Sequence, residues 1–255
     1  MPSDREAGEI YESEYTVGES FNDYYAGLSD VRKSEAVIRL RSLSKLTIGR
    51  TLLDVGAGLG LYVEAAIEQG WDAEGVEIAE TALAIQQEKG LPVIHSSYEN
   101  YESEKQYDVI TLWAVLEHVI DPRLVLEKTH ELLKPGGIVV IETGDISSKN
   151  AVKDGERWRM FYIAGHLYFF SGDCLDRILG QIGFDVIETR LDKWVEHTLM
   201  QNDLQRSILH ANNFLPAWFV RLSSALKSTI NLGMGSLGYG DVLIKIARKK
   251  IPEKS

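Results

Sequence analysis

The chain reads as an α/β protein: a doubly wound, seven-stranded, mostly parallel sheet with an N-terminal helix and a C-terminal helical insertion. Three observations predict it. Short apolar runs alternate with stretches at helical spacing from Thr51 to Glu142. Glycines cluster where the first run meets its helix, in Asp54-Val55-Gly56-Ala57-Gly58-Leu59-Gly60. The connections between these elements are short, which in repeated strand–helix–strand order means a parallel sheet covered on both faces.

The elements follow in order. Ser29-Asp30 offers a helix cap, and Ala36, Val37, Leu40 and Leu43 recur at helical spacing. Thr51 to Val55 is the first strand, with a helix from Leu61 to Gln69 that stops at Gly70. Ala73 to Glu77 is the second strand, and Thr81 to Lys89 a helix ended by Gly90. Pro92 to His95 and Tyr107 to Leu112 are the third and fourth strands. Asp121-Pro122 starts a helix with proline at its first position. Lys134-Pro135-Gly136-Gly137 stops that helix, and Ile138 to Glu142 is the fifth strand. Ser171 caps a helix that ends at Gly183; Phe184 to Arg190 and Asp241 to Ala247 are the last two strands. Right-handed crossovers turn this order into a Rossmann-like sheet.

The expected divisions are a cap segment over 1–30, a core over 31–195, a helical insertion over 196–232, and the last strand and tail over 233–255. In the insertion, Trp218, Phe219, Leu222, Leu226 and Ile230 fall at helical spacing. That pattern fits a helix packed on the sheet, a substrate lid, a homodimer surface or an interfacial membrane helix, the membrane version not favoured.

Composition narrows the function. The net charge of -11, with no basic patch, argues against nucleic acid as a partner. A single cysteine, Cys174, excludes an internal disulfide and reads as a small buried residue in a helix. The polar, acidic Met1 to Ser20 lacks the pattern of a signal peptide, and no apolar run reaches membrane-spanning length. A cytoplasmic location is expected.

The glycine loop is spaced Asp-x-Gly-x-Gly-x-Gly, not the Gly-x-Gly-x-x-Gly of dinucleotide sites, which disfavours a nicotinamide dehydrogenase. Glu77 ends the second strand, where a carboxylate can accept hydrogen bonds from ribose hydroxyls.

Together with Gly70-Trp71, Gly75-Val76-Glu77, Tyr107 to Trp113, Val115-Leu116-Glu117-His118-Val119 and Leu132 to Gly137, the loop resembles class I S-adenosylmethionine (SAM)-dependent methyltransferases. The Leu-Glu-His run is similar to the branch holding ubiquinone-biosynthesis O-methyltransferases and bacterial natural-product and glycan-cluster enzymes. The resemblance extends through Trp158, His166 to Ser171 and Gly183-Phe184.

It implies SAM as cofactor and a small-molecule acceptor methylated most readily at a hydroxyl. Methylation at nitrogen or carbon, or a SAM-binding partner protein without turnover, are the alternatives. Asp54, Gly56, Ala57, Gly58 and Gly60 would cradle the cofactor, with Glu77 on the ribose and Ile78 on the adenine. Ser97 and Tyr98 would close on the adenine edge, and the Trp113 carbonyl would take the methionine amino group. The Trp113 ring could also line the sulfonium, a cation attracted to an aromatic face. Tyr24 and Tyr25 resemble aromatics that close over the cofactor and acceptor.

A hydroxyl acceptor must lose a proton, so His166 and His118 are the candidate bases. Trp158 and Arg157, with Arg159, would grip the acceptor. Some of this branch bind a metal near the Leu-Glu-His segment, but an acidic residue often found there is replaced by Ala114; no metal is expected.

Overall fold

The computed structural model describes residues 32–163, 165–192 and 240–251. Helix α1 covers 32–43 and buries Ala36, Leu40 and Leu43, the residues spaced for one face. The strands are β1 (Thr51–Val55), β2 (Asp72–Glu77), β3 (Val93–His95), β4 (Tyr107–Trp113), β5 (Leu133–Gly144), β6 (Phe184–Asp192) and β7 (Val242–Lys249). Between them lie α2 (Leu61–Glu68), α3 (Glu80–Glu88), α4 (Pro122–Leu132), α5 (Lys149–Asp154) and α6 (Gly172–Ile182).

The sheet order is β3-β2-β1-β4-β5-β7-β6, with β7 antiparallel to both neighbours and the other described pairs parallel. The chain therefore reverses its direction of travel across the sheet between β1 and β4. The carboxyl ends of the strands there form the crevice where open α/β sheets bind ligands.

Alternation along the strands builds two cores. Leu52, Val109, Ile138 and Val140 face α1 and α2, whereas Leu53, Ile110, Val139 and Ile141 face α4 and α6. Successive side chains point to opposite faces, so a strand apolar throughout is buried on both.

The structure departs from the sequence expectation at β5. The strand begins at Leu133, five residues before Ile138. Tyr107 pairs with Leu133 and Val109 with Ile138, so Lys134 to Gly137 bulge out instead of ending the pairing. The bulge is held from outside, since Arg248 donates to the Gly136 carbonyl at 2.8 Å and to Leu46 O at 3.0 Å. Lys249 reaches the His130 and Leu133 carbonyls, at 2.6 and 2.8 Å, at the end of α4. Cationic partners for terminal carbonyls are what a helix end lacks. Cys174 lies in α6 as expected, but is only partly buried.

Candidate active site

The glycine loop is built by close approach. Gly56 and Ala57 donate to the Val76 carbonyl at 2.9 and 3.1 Å, locking the loop onto β2. Gly56 adopts φ 67°, and a side chain there would meet Val115 Cγ2 at 2.7 Å. A methyl group on Gly75 would lie 2.7 Å from the Ala57 Cβ. Glycine is required at both for the loop, β2 and the segment after β4 to meet.

Glu77, 5% exposed, is bound to that loop. Its Oε2 accepts from Gly58 N at 2.7 Å, and its Oε1 from Ile78 N and Ala79 N at 2.8 and 2.9 Å. A carboxylate has about four lone-pair sites. A ribose hydroxyl can take the remaining one, and a second must compete with Gly58 N–H. Asp54 lies beneath, accepting the Thr111 hydroxyl at 2.6 Å. Burial pushes its carboxyl up to about 7, against that hydrogen bond and with the Glu77 charge adding to the rise.

Trp113 ends β4 opposite Glu142 of β5. The Arg39 guanidinium lies 4.3 Å from the Trp113 ring centroid and its Nη2 lies 2.8 Å from Glu142 Oε2. This cation covers a face of the ring expected to line the sulfonium. Tyr62 packs tilted on Trp113 with centroids 5.2 Å apart. Trp113 Nε1 and Tyr62 Oη are buried without a hydrogen-bond partner, whereas the buried Glu142 Oε2 has the Arg39 cation. With Glu142 Oε2 held by Arg39, the buried polar groups left over at this strand end are the Trp113 indole N–H and the Tyr62 hydroxyl, which fit a polar ligand better than an apolar one.

Beyond Trp113 the backbone turns at Ala114, whose φ of 53° is unusual for a residue other than glycine. The turn carries Glu117 and His118 over the sheet. Leu167 N and Tyr168 N donate to the Glu117 carbonyl at 2.8 and 3.2 Å, which brings His166 back beside them. The two imidazoles meet edge to face, with centroids 4.6 Å apart. His118 Nδ1 is 3.1 Å from Gly165 O. Burial, reinforced by His166, holds His118 down to about 4. Burial likewise holds His166 to about 4, opposed by a hydrogen bond to the Met160 carbonyl and reinforced by Arg159. Glu117, 2% exposed, is pushed up to about 7 by burial, with its own backbone N–H and the Thr143 hydroxyl opposing. Its Oε2 has no partner.

The structure thus gathers Asp54, Gly56, Ala57, Gly58, Gly60, Glu77 and Trp113 along one crevice, with His118 and His166 in contact beside it. Ile78 is partly buried next to Glu77, and Ser97 lies on a turn whose backbone carbonyl accepts from Asn100 N and Tyr101 N. Three expectations change. The Tyr98 side chain is core, stacked on Tyr101 and hydrogen-bonded to the Thr129 hydroxyl at 3.1 Å, so it supports the turn at Ser97 from behind. Trp158 is 1% exposed and packs among Met160, Phe161 and Phe169, an anchor and not a grip on the acceptor. Arg157 is exposed at the end of a 3-10 turn, and Arg159 instead pairs with Asp241 at 3.3 Å. Tyr24, Tyr25 and the insertion at 196–232 lie outside the described residues.

Sequence reasoning missed Arg39, Tyr62, Gln86 and Glu142. Gln86 is fully buried, and its Nε2 donates to the Gly58 carbonyl. A glutamine on the buried face of a helix, and a glutamate closing an otherwise apolar strand, were the available signals.

A family model described as a methyltransferase domain matches residues 29–189. Ubiquinone biosynthesis O-methyltransferases are similar over 103 residues. That of Pseudomonas paraeruginosa is 39% identical, the match covering 37% of this chain and 44% of the relative. That of Bordetella avium is also 39% identical, over 37% of this chain and 43% of the relative. The chain thus spans less than half the length of these relatives. Among solved structures, a SAM-dependent methyltransferase from Thermotoga maritima, described as a possible histamine N-methyltransferase, gives a TM-score of 0.60 at 17% identity and covers 96% of this chain and 100% of that one. Magnesium protoporphyrin IX methyltransferase from Synechocystis with bound S-adenosylhomocysteine (SAH) gives 0.57 at 14% identity, covering 95% and 94%. These two likenesses bear on the fold.

Proposed function

We infer that this chain, which belongs to the methyltransferase-domain family, uses SAM to methylate a hydroxyl of a small-molecule acceptor. The observation that carries the reading is the Glu77 carboxylate tied to Gly58 N at 2.7 Å. It sets a ribose-binding group against a glycine loop that lacks dinucleotide spacing. The O-methyltransferases that match this chain support oxygen as the accepting atom.

The loop from Asp54 to Gly60 holds the donor, Glu77 its ribose, and Ile78 and the turn at Ser97 its adenine. The Trp113 carbonyl and Glu142 take the ammonium of the methionine end. Bound SAM supplies an electrophilic methyl carbon, so attack by the acceptor oxygen forms an O–C bond as the C–S bond breaks, leaving SAH and a proton from the hydroxyl. The protein's part is alignment of the two reactants and management of that proton. His118 and His166 are neutral at neutral pH, the state in which an imidazole offers a lone pair to a hydroxyl. The partly buried Phe169 and the exposed Phe161 and Tyr162 give the acceptor side an aromatic wall.

Calorimetric titration with SAM and SAH, followed by a radiolabelled methyl-transfer screen over phenols, sugars and quinone precursors, tests this. The Gly58→Asp variant should lose donor binding. At its φ of 53° a side chain is strained, aspartate less than most, and a second carboxylate beside Glu77, which accepts from Gly58 N, would repel that carboxylate and crowd the donor. Unchanged affinity in that variant rules out the assigned site.

A further inference from the structure

We propose that Gln86 is a positioning residue for the donor: its side-chain amide holds the Gly58 carbonyl inward and so turns the Leu59 N–H of the glycine loop outward, toward the place of the SAM molecule. The role rests on the SAM reading above. Gln86 Nε2 donates to the Gly58 carbonyl, 28 positions earlier in the chain. The Gly58 N–H is held separately, by Glu77 Oε2 at 2.7 Å. Both backbone polar groups of this one residue are therefore fixed by side chains, one from β2 and one from α3.

The glycines make such fixing necessary. Gly58 adopts φ 53° and Gly60 φ 74°. Glycine has no Cβ to restrict rotation, so the peptide between Gly58 and Leu59 can turn over unless a bond selects one orientation. That peptide is trans, and a trans peptide points its N–H opposite to its carbonyl. Gln86 is fully buried, on the protein side of the loop, whereas Gly58 and Leu59 are partly exposed. A carbonyl aimed at Gln86 thus leaves the Leu59 N–H aimed at the open side. The end of α3 touches the loop directly: a Cβ on Gly60 would lie 2.6 Å from Leu91 Cδ1 and 3.2 Å from Gln86 Cγ.

The core gives no reason for an amide at this position. Gln86 shares the buried side of α3 with Ala82 and Leu83, and its Oε1 is buried without a hydrogen-bond partner. A buried acceptor left unpaired costs free energy that a methionine of similar length would avoid. Among the described residues, the hydrogen bond that the Gln86 side chain makes goes to the glycine loop, so its use lies there.

The test titrates the full chain with SAH by calorimetry and follows its urea unfolding without ligand. Gln86→Met keeps the packing and removes the donor of the hydrogen bond. It should weaken SAH binding about tenfold, while its unfolding midpoint stays at or above that of the wild type. Gln86→Glu can donate only when protonated, and burial raises the pKa of a carboxyl. Its SAH affinity, divided by that of the wild type at the same pH, should rise as pH falls from about 9 to about 6. The acid can donate to the Gly58 carbonyl, and the carboxylate repels it. Asp54 and Glu77, the carboxyls at the loop, are common to both proteins and cancel in the ratio. Wild-type affinity in Gln86→Met, or a Gln86→Glu ratio that does not change with pH, overturns the proposal. So does a Gln86→Met protein that loses fold stability along with SAH affinity, since Gln86 is then a packing residue. No SAH binding by the wild type itself removes the SAM reading, and the role of Gln86 with it.

Discussion

Asp54 sits 2% exposed at the end of β1, with the Thr111 hydroxyl as its donor and the Glu77 carboxylate nearby. Burial outweighs the hydrogen bond, so the native carboxyl keeps its proton up to about pH 7, whereas the unfolded chain releases it near the ordinary value of 3.8. Between those two values the native state binds the extra proton. Stability therefore falls as pH rises through that window and levels off above it. Asn at this position can still accept the Thr111 hydroxyl but does not titrate. The stability of the wild type relative to Asp54→Asn should drop by on the order of 2–4 kcal/mol across the window. Urea unfolding of both proteins at steps of pH measures it, and a flat difference would mean that Asp54 is solvated. The same residue shows what sequence could supply: its motif puts Asp54 at the strand end, but its hydrogen-bond donor is Thr111, which lies 57 positions away and carries no local signal.

At the scale of elements, helices and strands were legible where local rules act alone. Asp121 before Pro122, Ser171 before α6 and Gly183 after it each perform the expected capping, and Gly183 takes the left-handed φ of 111°. What remained hidden required a partner from elsewhere. The early start of β5 is one case, because four residues that resemble a helix stop are bulged out and held by Arg248 from the last strand. Tyr98 and Trp158 are others: an aromatic residue after a strand reads the same in a pocket wall as in a core until its neighbours are known. The caps can be tested directly. Asp121 accepts from Arg123 N and Leu124 N at 3.0 Å each, satisfying two of the donors that a helix start leaves open. Asp121→Ala should lower unfolding free energy by about 1 kcal/mol, read from a shifted denaturant midpoint at constant slope, with SAH affinity of the folded protein unchanged. A loss of SAH affinity would show that α4 positions the site as well as the core.

Across the whole molecule, the groups assigned to the donor are scattered through sequence and gathered along one edge of the sheet. Arg39 comes from α1, the glycine loop from β1, Glu77 from β2, Trp113 from β4 and Glu142 from β5. No two of these elements can separate without dismantling the site, so donor binding is confined to the native state and must raise its stability by mass action. At a hundredfold excess of SAH over its dissociation constant the gain is about 2.7 kcal/mol. For a chain of this size each kcal/mol moves the midpoint by about 2–4 °C. Thermal unfolding should therefore shift upward by roughly 5–11 °C with SAH, and by nothing measurable with NAD at the same concentration. Gly58→Asp separates binding at the crevice from nonspecific stabilisation, since it keeps the sheet but closes the donor's place. Its midpoint should be indifferent to SAH. An equal shift with NAD, or an SAH shift that survives in Gly58→Asp, would move the donor site away from the β1 loop and Glu77.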